Sequence, residues 1–144
     1  MITLQKHARS LLFVTLTMLL GIGSAMAENP TSHVTLTGAQ EVPPVSTKAS
    51  GTGKIVVDTE KMVSGSVTVE GFDSMASHIH KGAAGKAGPV IHPLTKTAPN
   101  TWSVPAGTKL TDDEYVDYMA GNLYVNVHSV AHPGGEVRGQ LTPK

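Results

Sequence analysis

The sequence predicts an all-β chain, an antiparallel Greek-key sandwich or barrel with one short helix in a connecting loop. Three observations point there. Many short segments alternate apolar residues with β-favouring polar ones, clusters of Gly, Pro and Asp separate them, and one stretch only carries the start and stop signals of a helix.

Ahead of the strands, Lys6, His7 and Arg9 precede an apolar run over residues 11–22, and Ala25, Met26 and Ala27 supply the small-x-small pattern of a cleavage site. This is the composition of a cleaved export signal over residues 1–27. The run is well short of the roughly 20 residues that span a bilayer, so a retained anchor is not expected. Residues 28–32 then read as a short tether, and residues 33–144 suit one β domain.

Residues 34–37 (VTLT) alternate at the period of a half-buried strand. Pro43 and Pro44 end that pairing, since neither can donate to a ladder. Residues 54–57 and 66–69 follow, with a turn at 58–61 that joins them as a hairpin. Further strand signals lie at 77–80, 89–91, 101–104, 122–128 and 136–141. Between them, Thr111 and Glu114 have capping-box spacing, acids fill the first turn, and Gly121 sits where a helix stops. The run GAAGKAG, residues 82–88, leads into Pro89 and a strand rather than a helix, so it reads as a flexible crossover and not a phosphate cradle.

Removal of Lys6 and Arg9 with the signal leaves 9 basic residues of 11 against 11 acids, a formal charge of −2. No basic field for nucleic acid is present, and no membrane contact is expected after signal cleavage. Export implies an oxidising compartment, periplasmic or extracellular. With no cysteine in the chain, any metal ligands are histidine, carboxylate or methionine.

Residues two apart on a strand face the same way, so His78 and His80 project together while Ile79 points to the core. On the strand 122–128, Leu123, Val125 and Val127 share the core parity, which turns Tyr124, Asn126 and His128 outward. His132 follows in a turn from which an imidazole can lean back. These four histidines can converge on one exterior patch as metal ligands. His92 is either a further ligand or a strand-end residue, and His33 has no partner in sequence. Met75, near the pair, is either a soft contact for Cu(I) or core filler. Glu136 and Arg138 share a face of the last strand. They either orient His132 or His128 by hydrogen bonding, or form a solvated face. Neutral imidazoles suit copper, zinc and nickel, with copper favoured by the affinity order and an exported setting. No nucleophile elbow and no catalytic carboxylate pair is present, because Asp112, Asp113 and Glu114 are explained by capping.

Residues 36–44 (LTGAQEVPP), 76–82 (ASHIHKG) with 88–90 (GPV), and 123–129 (LYVNVHS) followed by 132–141 (HPGGEVRGQL) resemble the signature blocks of the CHRD domain, first known from chordin. The likeness runs from about residue 33 to 141, and it implies an immunoglobulin-like or superoxide-dismutase-like β-barrel. A fainter similarity links His78-Ile79-His80 to the copper-binding His-Val-His of Cu,Zn superoxide dismutases, and residues 87–94 (AGPVIHPL) to a neighbouring stretch. Carried over, His78, His80 and His128 are copper ligands. Val90 stands where the dismutase has its bridging histidine, and the zinc-site residues have no counterparts, so a zinc site of that type is not expected. Arg138 lies in the region of the dismutase arginine that guides its anion, without aligning closely enough to take over that role.

The reading that follows is an exported copper-binding protein in copper handling or sequestration. Two alternatives are an extracellular interaction module with an envelope protein partner, and a copper-dependent superoxide-scavenging enzyme.

Overall fold

The computed structural model describes residues 27–144, so the export signal expected over 1–27 lies outside the described residues except for Ala27. Among the described residues there are nine strands: β1 Thr31–Thr37, β2 Ser50–Val57, β3 Val63–Glu70, β4 Ala76–Lys81, β5 Val90–Pro93, β6 Thr95–Ala98, β7 Thr101–Ser103, β8 Leu123–His128 and β9 Val137–Leu141. One helix, α1, spans Asp112–Met119, and a 3-10 turn spans Gly38–Gln40. All strands join one antiparallel sheet in the order β5-β4-β8-β9-β1-β2-β3-β7-β6. The two outermost strands, β5 and β6, are separated in sequence by Leu94 alone, whose N–H donates to Ser77 O at 2.9 Å. The sheet therefore curls into a nearly closed barrel, which leaves little free edge for another strand to pair with.

The alternation in the sequence builds the interior. Val34, Leu36, Ile55, Val57, Val67, Val69, Ile79, Leu123, Val125, Val127, Val137 and Leu141 are buried at no more than 2% exposure. Most are β-branched, as strands favour. The hairpin between β2 and β3 forms at the expected turn, where Asp58 Oδ1 accepts from the N–H groups of Glu60 and Met62, and Lys61 takes φ 65°.

The helix carries the full capping box. Glu114 N–H donates to Thr111 Oγ1 at 3.2 Å, and Thr111 N–H donates to Glu114 Oε2 at 2.8 Å. Tyr118 anchors it to the barrel, fully buried, with its hydroxyl donating to Pro30 O at 3.0 Å. Strand β6 was not expected from sequence. All four of its residues are exposed, so no apolar alternation marks them.

Where β9 meets β1 the barrel has no room for a side chain at position 139. A Cβ there would run into Val34 Cγ1 and lie 2.8 Å from Thr35 O. Gly139→Val is expected to lower stability by about 3 kcal/mol through overpacking. Urea denaturation checks this, and a loss under about 1 kcal/mol contradicts it.

Candidate metal centre

Ile79 enters the core, so the flanking His78 and His80 leave β4 by the outer face. Strand β8 lies directly beside β4, with Ala76 opposite His128, His78 opposite Asn126 and His80 opposite Tyr124. This register brings ring nitrogens of His78, His80 and His128 within 4.8 Å of one another.

Two of the three rings have a defined tautomer. His80 Nδ1 lies 2.9 Å from Gly88 O, and His128 Nδ1 lies 2.9 Å from Pro133 O. A carbonyl oxygen only accepts, so each Nδ1 carries the hydrogen and each Nε2 keeps its lone pair. Anchoring one ring nitrogen so that the other is presented is how metal-ligating imidazoles are commonly held. His80 Nε2 is buried and has no partner. His128 Nε2 lies 3.0 Å from His78 Nδ1. Two nitrogens each about 2.0–2.1 Å from one ion stand about 2.9 Å apart at a right angle and about 3.4 Å apart in a tetrahedron. The observed separation therefore fits a hydrogen bond and a shared ion equally well.

Burial lowers the pKa of all three histidines. For His78 the neighbouring rings of His128 and His80 add to the effect, whereas the bonds to Gly88 and Pro133 oppose it for His80 and His128. Neutral pH thus finds them uncharged, the form that ligates.

The face that holds them is not an exterior patch. Tyr124, Asn126 and Arg138 are 3%, 2% and 1% exposed. Residues 82–88 connect the neighbouring strands β4 and β5 and form a roof, which corrects the reading of a flexible crossover. Arg138 donates to Lys86 O and Ala83 O at 2.9 Å each and to Gln140 Oε1 at 3.0 Å. Gln140 Nε2 donates to Gly82 O at 2.7 Å and to Gly121 O at 2.8 Å. The guanidinium carbon sits 3.4 Å from the centroid of the Tyr124 ring, and that ring stacks on His80 at 4.8 Å and 9°. Since β8 lies between β4 and β9, these form a three-layer stack of guanidinium, phenol and imidazole. Strand parity shows which side a residue takes and not what covers that side, which is why the roof was missed.

His132 stands outside the group of three. Its Nε2 is 3.8 Å from Glu136 Oε2, and its backbone N–H donates to Ser129 Oγ. The turn it belongs to contributes a carbonyl, that of Pro133, in place of an imidazole. Glu136 and Arg138 do not make a solvated face. Glu136 is buried and accepts from Thr47 Oγ1 at 2.5 Å and Ser129 Oγ at 2.7 Å. Burial pushes its carboxyl up, but these bonds and His132 hold it below the usual range. His92 faces α1, with Nε2 3.4 Å from Glu114 Oε2. Met75 is 61% exposed and so is not core filler. Val90, opposite His80 in β5, brings no nitrogen to the group.

Glu41 was not singled out in the sequence. Its carboxyl is buried beside Asn126 in a gap that exists because Gly135 has no side chain; a Cβ there would run into Glu41 Oε1 and lie 2.8 Å from Asn126 Nδ2. Desolvation raises its pKa from 4.5 to about 7, against the opposing charge of Arg138, the Val42 N–H and Asn126. Between those values the folded protein holds a proton that the unfolded chain has released. Stability from this group is full below about 4.5 and is lost as pH rises through about 7. Glu41→Gln should therefore gain on the wild type as pH is raised from about 4.5 to about 7. Paired urea denaturation curves at several pH values check it, and a constant difference contradicts it.

The sequence model of the CHRD domain family matches residues 32–141. No curated protein and no solved structure matches the chain, so the comparisons give no support to the expected similarity to the dismutases.

Proposed function

The chain belongs to the CHRD domain family, and on that premise we propose that it is an exported protein that holds one late transition-metal ion, copper foremost, through His78, His80 and His128, in copper handling or sequestration. The observation that carries the reading is the convergence of three uncharged imidazoles, two of them locked by backbone carbonyls with Nε2 unprotonated.

The donor set selects the ion. No carboxylate belongs to the group, so hard cations such as Mg²⁺ and Ca²⁺, which need oxygen ligands, find nothing to replace their water. Among imidazole-binding metals the affinity order puts Cu²⁺ first. Copper would supply a one-electron couple as well as affinity for nitrogen. The residues of this chain orient the ligands: Gly88 O and Pro133 O fix two rings, Tyr124 packs flat on His80, and Arg138 with Gln140 holds the roof down. Holding suits the site better than superoxide chemistry, because the guanidinium of Arg138 is buried with its N–H groups committed to carbonyls and so is not presented to an arriving anion. Export is supported by the composition of residues 1–27, and no helix among the described residues is long and apolar enough to cross a membrane.

Titration of metal-free protein at neutral pH tests the proposal. One Cu²⁺ per chain should bind tightly, Zn²⁺ more weakly, and Mg²⁺ and Ca²⁺ not measurably. Absence of saturable copper binding, or equal binding of Ca²⁺, contradicts it.

A further inference from the structure

Four buried side-chain atoms among the described residues have no hydrogen-bond partner: Glu41 Oε1, His80 Nε2, His92 Nε2 and Asn126 Oδ1. Three of them belong to neighbouring groups. Asn126 lies on β8 beside the strand that carries His80, its carboxamide reaches both the His80 ring and the Glu41 carboxyl, and Gly135 leaves it the space. Native proteins rarely leave buried polar atoms unpaired, since each forfeits its hydration without return, so adjacent orphans ask for an occupant.

The chemistry of the orphans specifies what the occupant brings. Asn126 Nδ2 points to Gly134 O, at 3.4 Å, which leaves the carbonyl oxygen as the free end of the amide. His80 Nε2 is a lone pair because Nδ1–H is spent on Gly88 O. Both atoms are acceptors and cannot pair with each other. A hydrogen must reach the oxygen and an electrophile the nitrogen. His132, the side chain best placed in sequence to complete a set of four ligands, is turned to Glu136 instead.

We infer that Asn126 Oδ1 is the acceptor for a protic ligand, water in the simplest case, that fills the position left open beside His78, His80 and His128. The inference rests on the three-histidine reading and names what completes that site. Asn126 lies directly opposite His78 on the neighbouring strand, so its amide is fixed to the same rigid sheet as the ligands. Glu41 and Gly135 are positioning residues: the first abuts the carboxamide, the second leaves room for both groups. A ligand that has a hydrogen to donate is favoured, and aprotic anions are disfavoured, because the amide oxygen would meet them with its own lone pairs.

The test uses Cu²⁺-loaded wild type, Asn126→Leu, which has the same shape without the acceptor, and Asn126→Asp, which keeps an oxygen. Pulsed paramagnetic resonance in H₂O and D₂O reads exchangeable protons next to the ion, and azide titration reads the affinity for an aprotic anion. The wild type should show strongly coupled exchangeable protons. Asn126→Leu should lose them and bind azide at least about tenfold more tightly, with copper affinity reduced no more than the roughly 10–100-fold typical of residues behind the ligands. Asn126→Asp should retain the protons. Wild type that holds copper by three nitrogens without such protons overturns the inference and leaves the three-histidine reading intact. So does Asn126→Leu with protons and azide affinity unchanged. Failure of the wild type to bind copper through the histidines removes both. Should Asn126→Leu not fold, the wild-type spectrum and Asn126→Asp still decide.

Discussion

Replacing His78 and His80 together by alanine lowers the affinity for Cu²⁺ by at least about 10⁴-fold. Structural metal sites with four protein ligands bind with an apparent 10–16 kcal/mol, so each ligand accounts for about 3–4 kcal/mol, or roughly 10²–10³ in affinity. Two of the three converging nitrogens disappear in this variant, and His128 alone is a single imidazole donor. The core should survive the change because Ile79 keeps its contact, while loss of His80 gives up the stack on Tyr124 and the bond to Gly88 O. His132→Ala is the control: its imidazole is paired with Glu136 outside the group, and copper affinity should stay within a few-fold. Competition against a chelator of known affinity measures both. Equal affinities in the double variant and the wild type would place copper somewhere other than these strands.

The second large effect falls on stability. Arg138→Met is expected to cost about 3–5 kcal/mol, the range found when one partner of a buried charged network is removed. The loss has several parts. The carbonyls of Lys86 and Ala83 lose their donors under the roof, one face of Tyr124 loses its cation, and the buried Glu41 loses the charge that offsets its desolvation. A methionine fills the volume but restores none of these. Arg138→Lys should recover little, because an ammonium has neither the planar face that lies on Tyr124 nor the fork that reaches three acceptors at once. Against a typical total of 5–15 kcal/mol, either variant should be partly unfolded at modest urea. A loss below about 1 kcal/mol for Arg138→Met contradicts the account of the roof as a clipped structure.

Different parts of this arrangement were legible in the sequence to different degrees, for physical reasons. The barrel was readable because period-two alternation in VTLT and LYVNV reports directly which residues face inward. The same parity put His78, His80 and His128 on one side of their strands, and Thr111 with Glu114 announced the helix. That β4 and β8 are neighbours, with His78 opposite Asn126, is a matter of long-range pairing, on which local periodicity is silent. The carbonyls of Gly88 and Pro133 that orient two of the rings are invisible for another reason, since every residue has a carbonyl. Tyr124 and Asn126 had a usable signal, the same parity as His128, but polar residues on an outer face read as solvated unless something is known to cover them. The cover comes from the glycine-rich residues 82–88 and from Glu41, which local patterns mark only as loops. Thr95–Ala98 escaped because a wholly exposed edge strand has no buried face to betray it.

The most direct test of the central claim is paramagnetic resonance of the wild-type protein loaded with one equivalent of Cu²⁺, read for the nitrogens bound to the ion. The three-histidine site predicts a single species with couplings to three imidazole nitrogens and a stoichiometry of one copper per chain. A mixture of species, or a spectrum with fewer imidazole nitrogens that persists unchanged in the His78→Ala, His80→Ala variant, would contradict it.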